Sequence, residues 1–179
     1  MRNEENSMPD VQYQWVSVEI DSGIPFEFSN NALRLVRCIP TKPAVYRWAV
    51  FEKQVLRKVY IGETDNLRRR IREYLNPGPT QHTNRRLNSK FKTYIQKELT
   101  VQLEILKINP IYLNNVYLCD DRLSDQYIRK MMENFTLADS DVTQYEMLNA
   151  TLNPIERRKR KAMKDNPLEA FFQERGLTD

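Results

Sequence analysis

The sequence predicts one small α+β domain. With 179 residues, 40% of them hydrophobic, the chain is long enough to bury one core and short for two. Segments with the two-residue alternation of strands stand among segments with the helical spacing of apolar residues, in the order strand, strand, helix, helix, strand, helix, helix. No segment approaches the roughly 20 consecutive apolar residues that cross a bilayer, and the N-terminus lacks the apolar core of a signal peptide. We therefore expect a soluble, cytoplasmic protein without a membrane span.

Strands are predicted where β-branched and aromatic residues alternate with polar ones or form a short apolar run. The first ten residues show neither pattern. Only Glu52 to Val55 separates the second predicted strand from the third, so these two are expected to form a hairpin. The predicted strands are 11–20, 45–51, 56–61 and 101–108.

Helices are predicted where apolar residues recur three or four positions apart. Gly62 is expected to end the strand before the main helix, and the side-chain oxygen of Thr64 or Asp65 to cap the first turn of that helix. The segment Asn76-Pro-Gly-Pro79 is expected to stop it. The other predicted helices are 30–37, 83–97, 122–137 and a basic helix that begins after Asn153-Pro154.

Positive charge is segregated along the chain, although the net charge is only +4. Residues 57–97 hold eleven Lys and Arg against three Asp and Glu, residues 98–153 hold four against nine, and residues 154–165 are basic again. Such segregation predicts a positive surface that binds a polyanion, most often nucleic acid. The alternative is that these are ordinary solvated helix faces.

Composition excludes a metal site built from cysteine or histidine. Cys38 and Cys119 stand alone without CxxC spacing and are interpreted as buried thiols in a reducing compartment. His82 is the only histidine. A metal ion would therefore need oxygen ligands.

Two tyrosines and an arginine form a candidate constellation for phosphodiester cleavage. Such cleavage needs an activated water, a cation on the phosphate and positive charge for the transition state. Tyr46 and Tyr60 lie in the two strands of the predicted hairpin and are expected to face each other or stand close. The helix after Gly62 carries Arg70 about two turns in, and a guanidinium can donate two hydrogen bonds to a phosphate.

The spacing of these residues resembles the GIY-YIG nuclease signature. The matching segments are Pro43-Ala-Val-Tyr46, Val59-Tyr-Ile-Gly62 and Asn66-Leu-Arg-Arg-Arg70, with Arg70 eight residues beyond the glycine. The family includes phage homing endonucleases, restriction enzymes and the incision nuclease of bacterial excision repair. The resemblance covers about residues 40–154 and implies a three-stranded antiparallel sheet flanked by helices.

The resemblance also implies roles for single residues. Tyr46, Tyr60 and Arg70 take the catalytic positions, His82 opens the second helix near the phosphate, and Glu133 stands on the helix that supplies the metal-binding glutamate. A partner asparagine follows that helix, and both Asn149 and Asn153 fit it, with a slight preference for Asn153. A single carboxylate with phosphate oxygens suits Mg²⁺ or Mn²⁺. Two departures are Ala44, where the family usually has Gly, and Glu63, where the repair nucleases carry Lys.

DNA is the expected partner. Which tyrosine activates water is left open by the sequence. The residues expected to contact the DNA backbone are Arg68, Arg69, Arg72, Arg85, Arg86, Lys90, Arg157, Arg158, Lys159, Arg160 and Lys161.

The chain is divided for this interpretation into an N-terminal extension (1–40), a nuclease domain (41–154) and a basic C-terminal helical tail (155–179). The leading hypothesis is a metal-dependent DNA endonuclease of a restriction-type or stand-alone phage or bacterial kind, with a homodimer expected for the restriction type. One rival is a non-catalytic nucleic-acid-binding module on the same fold. A second is a partner-binding protein whose basic face meets an acidic protein.

Overall fold

A mixed five-stranded sheet organises the molecule. The computed structural model describes residues 11–20, 23–113, 116–140 and 145–149. The strands are β1 (Tyr13–Ser17), β2 (Glu19–Ile20), β3 (Ile24–Pro25), β4 (Ala44–Glu52), β5 (Val55–Thr64), β6 (Thr100–Ile108), β7 (Ile111–Leu113), β8 (Val116–Leu118) and β9 (Glu146–Met147). In the main sheet they follow the order β1-β6-β4-β5-β9, and neighbours are antiparallel except for the short parallel pair β5–β9. The helices are α1 (Ala32–Leu35), α2 (Leu67–Leu75), α3 (His82–Gln96) and α4 (Gln126–Asp139).

The predicted α+β class with an antiparallel central sheet is confirmed, but the expected number of three strands is wrong. The three expected strands are β4, β5 and β6 at the centre of the sheet. β1 adds to one edge by pairing with β6, and β9 adds to the other by pairing with β5 at Lys58 and Val59. β1 lies within the strand predicted at 11–20, but its pairing at the edge of the sheet and the existence of β9 were not predicted.

The hairpin between β4 and β5 forms as predicted, and its turn is tight. Lys53 and Gln54 are the two turn residues, with φ angles of 47° and 68°. Two successive left-handed residues match the right-handed twist of the flanking strands. The register places Tyr46 opposite Gly62 and Trp48 opposite Tyr60.

Two details at the start of α2 differ from expectation. Gly62 does not end its strand, because the ladder continues until Thr64 pairs with Ala44. Neither Thr64 nor Asp65 caps the helix. Asn66 does so instead, its side chain accepting a hydrogen bond from the backbone N–H of Arg69 at 3.0 Å.

Helices cover both faces of the sheet, which gives two apolar cores. On the first face, side chains such as Tyr46 and Trp48 pack with α2, α3 and the N-terminal segment. On the second face, Val45 and Ile61 pack against α4. Because successive strand residues point to opposite faces, each of the three central strands β4, β5 and β6 contributes to both cores. The sheet therefore lies between α2 and α4.

The segment before α4 departs from the prediction of one helix at 122–137. A 3-10 segment, Asp120–Ser124, comes first, and α4 begins only at Gln126. Asp125 separates the 3-10 segment from α4. Its backbone is extended, and its side chain accepts a hydrogen bond from the backbone N–H of Tyr127 at 2.8 Å. The hairpin of β7 and β8 was not predicted. Both cysteines are half-buried rather than buried.

The N-terminal segment is part of the folded domain. β1 extends the main sheet, and Phe26, Val36 and Ile39 are fully buried in the core of the first face. The division of the chain at residue 40 stays a prediction, and the tail from 155 to 179 lies outside the described residues. Within the described ranges, no helix is long and apolar enough to cross a membrane.

Candidate active site

Tyr46 and Tyr60 stand close on the first face of the sheet, as the hairpin predicted. They are diagonal neighbours, because Tyr46 lies opposite Gly62 and Tyr60 lies opposite Trp48. Tyr46 is 0% exposed and Tyr60 is 9% exposed. Both tyrosines are therefore buried, and Tyr60 is the slightly more exposed of the two.

Gly62 leaves the space in which the hydroxyl of Tyr46 lies. A Cβ built on Gly62 would stand 2.6 Å from Tyr46 Oη and 2.9 Å from its Cζ, which is closer than real side chains approach. The glycine therefore lets the phenol of β4 reach across the neighbouring strand β5. This contact is the structural reason for glycine at this point of the motif.

Arg70 joins the two phenols of a three-membered hydrogen-bonded cluster. Its Nε donates to the hydroxyl of Tyr46 at 3.1 Å, and its Nη2 donates to the hydroxyl of Tyr74 at 2.8 Å. The two hydroxyls are themselves 2.8 Å apart. Arg70 and Tyr74 are one turn apart on α2, so the helix presents both to the same side.

A carboxylate completes the surroundings of Arg70. Nη1 donates to Glu73 Oε2 at 2.8 Å, and both side chains are partly exposed, at 28% and 29%. A guanidinium has five N–H donors, of which these contacts use three. The other two can meet a phosphate that approaches from solvent.

Burial keeps both phenols of the cluster protonated. Burial raises the pKa of Tyr46 well above its usual value, as does the neighbouring Tyr60, and the cation of Arg70 only partly opposes this. The pKa of Tyr74 is likewise raised by burial and by Tyr46 and Tyr60. Burial works against the charge of Arg70, but Tyr46, Tyr74 and Glu73 outweigh it and raise the pKa of the guanidinium. At neutral pH the cluster is one cation held by two neutral phenols.

These shifts predict a loss of stability in alkali. Phenols in the unfolded chain ionise near pH 10, whereas folded Tyr46 and Tyr74 hold their protons. Their contribution to stability is therefore fully present below about pH 10 and is lost as the pH rises beyond it. We expect the urea midpoint to fall above about pH 10, and to fall less steeply in Tyr74→Phe, which has one titrating phenol fewer. Tyr112→Phe is the control, because Tyr112 is 71% exposed. Equal slopes for Tyr74→Phe and the wild type would contradict the prediction.

A comparison with known protein families finds a match to the segment that contains the two tyrosines and Arg70. Residues 42–110 match the family model of the GIY-YIG catalytic domain. The match contains Tyr46, Tyr60, Gly62 and Arg70. The match covers 69 of the 179 residues of the chain. No curated protein and no solved structure gives a significant match to the chain.

A GIY-YIG catalytic domain implies nuclease activity in general, that is, hydrolysis of phosphodiester bonds. The matched GIY-YIG segment begins before β4 and ends after β6, so it holds the hairpin, α2 and α3. Glu133, Asn149 and the N-terminal segment lie outside it. Any role for these residues therefore has to be argued from their positions in the structure.

Glu133 lies on α4, on the second face of the sheet, whereas Arg70 approaches the first. It is half-buried and stands one turn after Arg129, whose Nε donates to Glu63 on β5 at 2.9 Å. Glu133 and Arg70 therefore lie on helices on opposite faces of the sheet, and the two faces meet at the outer edge of β5, the edge away from β4. The metal-binding role of Glu133 stays a prediction.

Asn149 lies at that outer edge. Its Oδ1 accepts the backbone N–H of Ile61 at 2.9 Å, and its Nδ2 donates to the carbonyl of the same residue at 2.8 Å. The asparagine thus continues the hydrogen bonding of β5 directly beside Gly62. Asn153, the other candidate, lies outside the described residues.

The remaining predicted residues are spread over α2 and α3. His82 is the first residue of α3 and is exposed. Arg68 is half-buried and donates from Nε to the carbonyl of Ile39 at 2.6 Å, so it also links α2 to the N-terminal segment. The exposed members of the predicted DNA-binding set are Arg69, Arg72, Arg85 and Arg86, and Lys90 is half-buried. Residues 157–161 lie outside the described part of the chain.

Tyr74 and Glu73 were missed by the sequence interpretation. The ring of Tyr74 lies on the apolar face of α2, where it is buried, and its hydroxyl joins the cluster. Both lie three or four residues after Arg70, the spacing at which helical side chains meet. The spacing could therefore have indicated from the sequence that both residues contact Arg70.

A metal ion at this cluster would have to be held largely by water and by the substrate phosphate. Among the described residues, no group of three or more His, Cys, Asp or Glu is placed to hold a metal. Mg²⁺ keeps several waters and is often bound through one or two carboxylates together with substrate phosphates. One glutamate beside a bound phosphate therefore meets its needs.

Proposed function

We propose that this protein is a divalent-metal-dependent DNA endonuclease. The observation that carries the proposal is the cluster of Arg70 with the neutral phenols of Tyr46 and Tyr74 inside a GIY-YIG domain. The cluster supplies a permanent cation in a fixed orientation beside Tyr60, which is 9% exposed. A fixed cation can stabilise the negative charge that develops on a phosphate, and a phenol can orient the attacking water.

Arg70 binds the scissile phosphate through its unused N–H donors and stabilises the charge that develops on the phosphate oxygens. Tyr46 is fully buried and bonded to Arg70, so it positions the guanidinium. Tyr60, the slightly more exposed of the two tyrosines, orients the attacking water. The bond from phosphorus to the leaving sugar oxygen breaks as the bond to the water oxygen forms.

Glu133 is the residue proposed to hold Mg²⁺ or Mn²⁺, with His82 and an asparagine assisting. Such an ion would supply Lewis acidity at the phosphate and a water of lowered pKa. Asn149 is the better supported asparagine because of its contacts beside Gly62. A restriction-type or stand-alone phage or bacterial nuclease is the finer proposal.

A plasmid assay tests the proposal. We expect supercoiled plasmid to be cut with Mg²⁺ or Mn²⁺ and to remain intact with EDTA. Discrete fragments would support a restriction type, whereas nicks or a smear would support a non-specific enzyme. Uncut plasmid with either ion, together with retained DNA binding, would overturn the catalytic proposal.

Glu133→Gln tests the metal ligand. We expect it to lower the cleavage rate by about 10²-fold while DNA binding in EDTA is unchanged, because an electrostatic contribution at the phosphate is lost. Glu52→Gln is the matched control, since Glu52 is an exposed carboxylate at the far end of the hairpin. Equal cleavage rates for Glu133→Gln and Glu52→Gln would contradict a role for Glu133 in the reaction.

The alternative is a nucleic-acid-binding module without cleavage. The position of α4 on the second face of the sheet favours it, because the proposed carboxylate and Arg70 approach from different sides. Binding to DNA without cleavage under any divalent ion is the result that this alternative predicts.

A further inference from the structure

The N-terminal segment is held rigidly against one side of α2. Ala32, Val36 and Ile39 are buried in the same core as Leu67 and Ile71 of α2. The side chain of Arg68 donates to the carbonyl of Ile39 at 2.6 Å, and its backbone N–H donates to the carbonyl of Pro40 at 3.2 Å. α1 and α2 therefore present their outer sides as one surface.

Three exposed arginines surround this junction. Arg37 lies two residues before Ile39, and Arg34 lies one turn earlier in α1. Arg72 follows Arg68 by one turn of α2, so it lies on the same stripe of the helix, about 6 Å along it. We call Arg34, Arg37 and Arg72 the α1–α2 basic surface.

No carboxylate of the described residues pairs with these three arginines. Several other arginines of that part of the chain are neutralised by carboxylates, for example Arg57 by Glu52. The carboxylates in α2 and just before it form other ion pairs, Asp65 with Arg69 and Glu73 with Arg70. Residues 28–51 contain four Lys and Arg and no Asp or Glu.

Concentrated, unneutralised positive charge on a fixed surface attracts a polyanion. The proposed substrate is such a polyanion, and Arg70 lies on the opposite flank of the same helix. A helix is about 10–12 Å wide, and a DNA strand has one phosphate per about 3.4 Å of the duplex axis. A strand bound at Arg70 therefore brings further phosphates over α2.

We propose that the α1–α2 basic surface binds the DNA backbone beside the scissile phosphate, so that the N-terminal segment is part of the substrate site. This inference rests on the proposed function. Contacts of this kind position the duplex and carry no sequence information directly. Arg34 and Arg37 thereby join the DNA-binding residues, although the sequence interpretation assigned residues 1–40 to an extension.

Salt-dependent binding tests this proposal. The test variant is Arg34→Gln/Arg37→Gln, and the control is Arg122→Gln/Lys130→Gln, which removes two exposed charges at and just before α4. Affinity for a fluorescent duplex is measured in EDTA over a series of salt concentrations. Each lost phosphate contact reduces the slope of log K against log salt by about 0.9. We expect a slope about 1.8 smaller for the test variant and an unchanged slope for the control.

Arg72→Gln alone should reduce the slope by about 0.9, which keeps the test valid if the double variant folds poorly. Equal slopes for test variant, control and wild type would overturn the inference and leave the proposed function intact. A wild-type protein without salt-dependent DNA binding would overturn both.

Discussion

Replacement of Arg70 with alanine is expected to lower the cleavage rate by about 10²- to 10³-fold and to leave the protein folded. Loss of one fixed donor to a developing negative charge has an effect of this size. The side chain is partly exposed, so its removal opens no closed cavity in the core. The rate is measured on supercoiled plasmid under single-turnover conditions, with circular dichroism to confirm folding.

Two further variants make the Arg70 experiment specific. Arg70→Lys keeps the charge but lacks the planar fork that contacts Tyr46, Tyr74 and Glu73, so its rate should remain well below that of the wild type. Arg57→Ala is the control, because Arg57 is an exposed arginine beside the hairpin turn. If Arg70→Ala cleaves as fast as Arg57→Ala, the guanidinium takes no part in the reaction.

Replacement of Gly62 with alanine is expected to destabilise the protein by about 1–3 kcal/mol, as overpacking in a filled core does. The new methyl group would lie 2.6 Å from Tyr46 Oη, and Tyr46 is fully buried. The phenol must move away, which separates its hydroxyl from Arg70 and Tyr74. We therefore expect cleavage to fall together with the urea midpoint.

A second substitution separates the two effects of Gly62→Ala. In Gly62→Ala/Tyr46→Phe the hydroxyl is gone, so part of the lost stability should return while cleavage should not. Gly78→Ala is the control, since its added Cβ would meet nothing closer than 3.9 Å. A Gly62→Ala protein with wild-type stability and rate would show that Tyr46 need not lie across β5.

The central elements could be predicted because their signals are local. The hairpin, α2, α3 and β6 are specified by strand alternation, helical spacing and turn residues within each segment, and all four form within a few residues of the expected bounds. The pairings at the edges of the sheet could not be predicted in the same way, although β1 itself lies within a predicted strand. β9 is two residues long, and it exists only because Lys58 and Val59 offer an open strand edge.

Within the site, the placement of Tyr46, Tyr60 and Arg70 follows from the amino-acid sequence. Their strands and helix are set by short-range patterns, and the spacing along the chain then brings them together. The contacts of Tyr74 and Glu73 with Arg70, and of Asn149 beside Gly62, are visible only in the folded molecule. The same is true of the packing of α1 against α2 and of the position of α4 on the other face of the sheet. These contacts depend on which faces are buried against each other, and burial joins segments whose own sequences carry no sign of their partner.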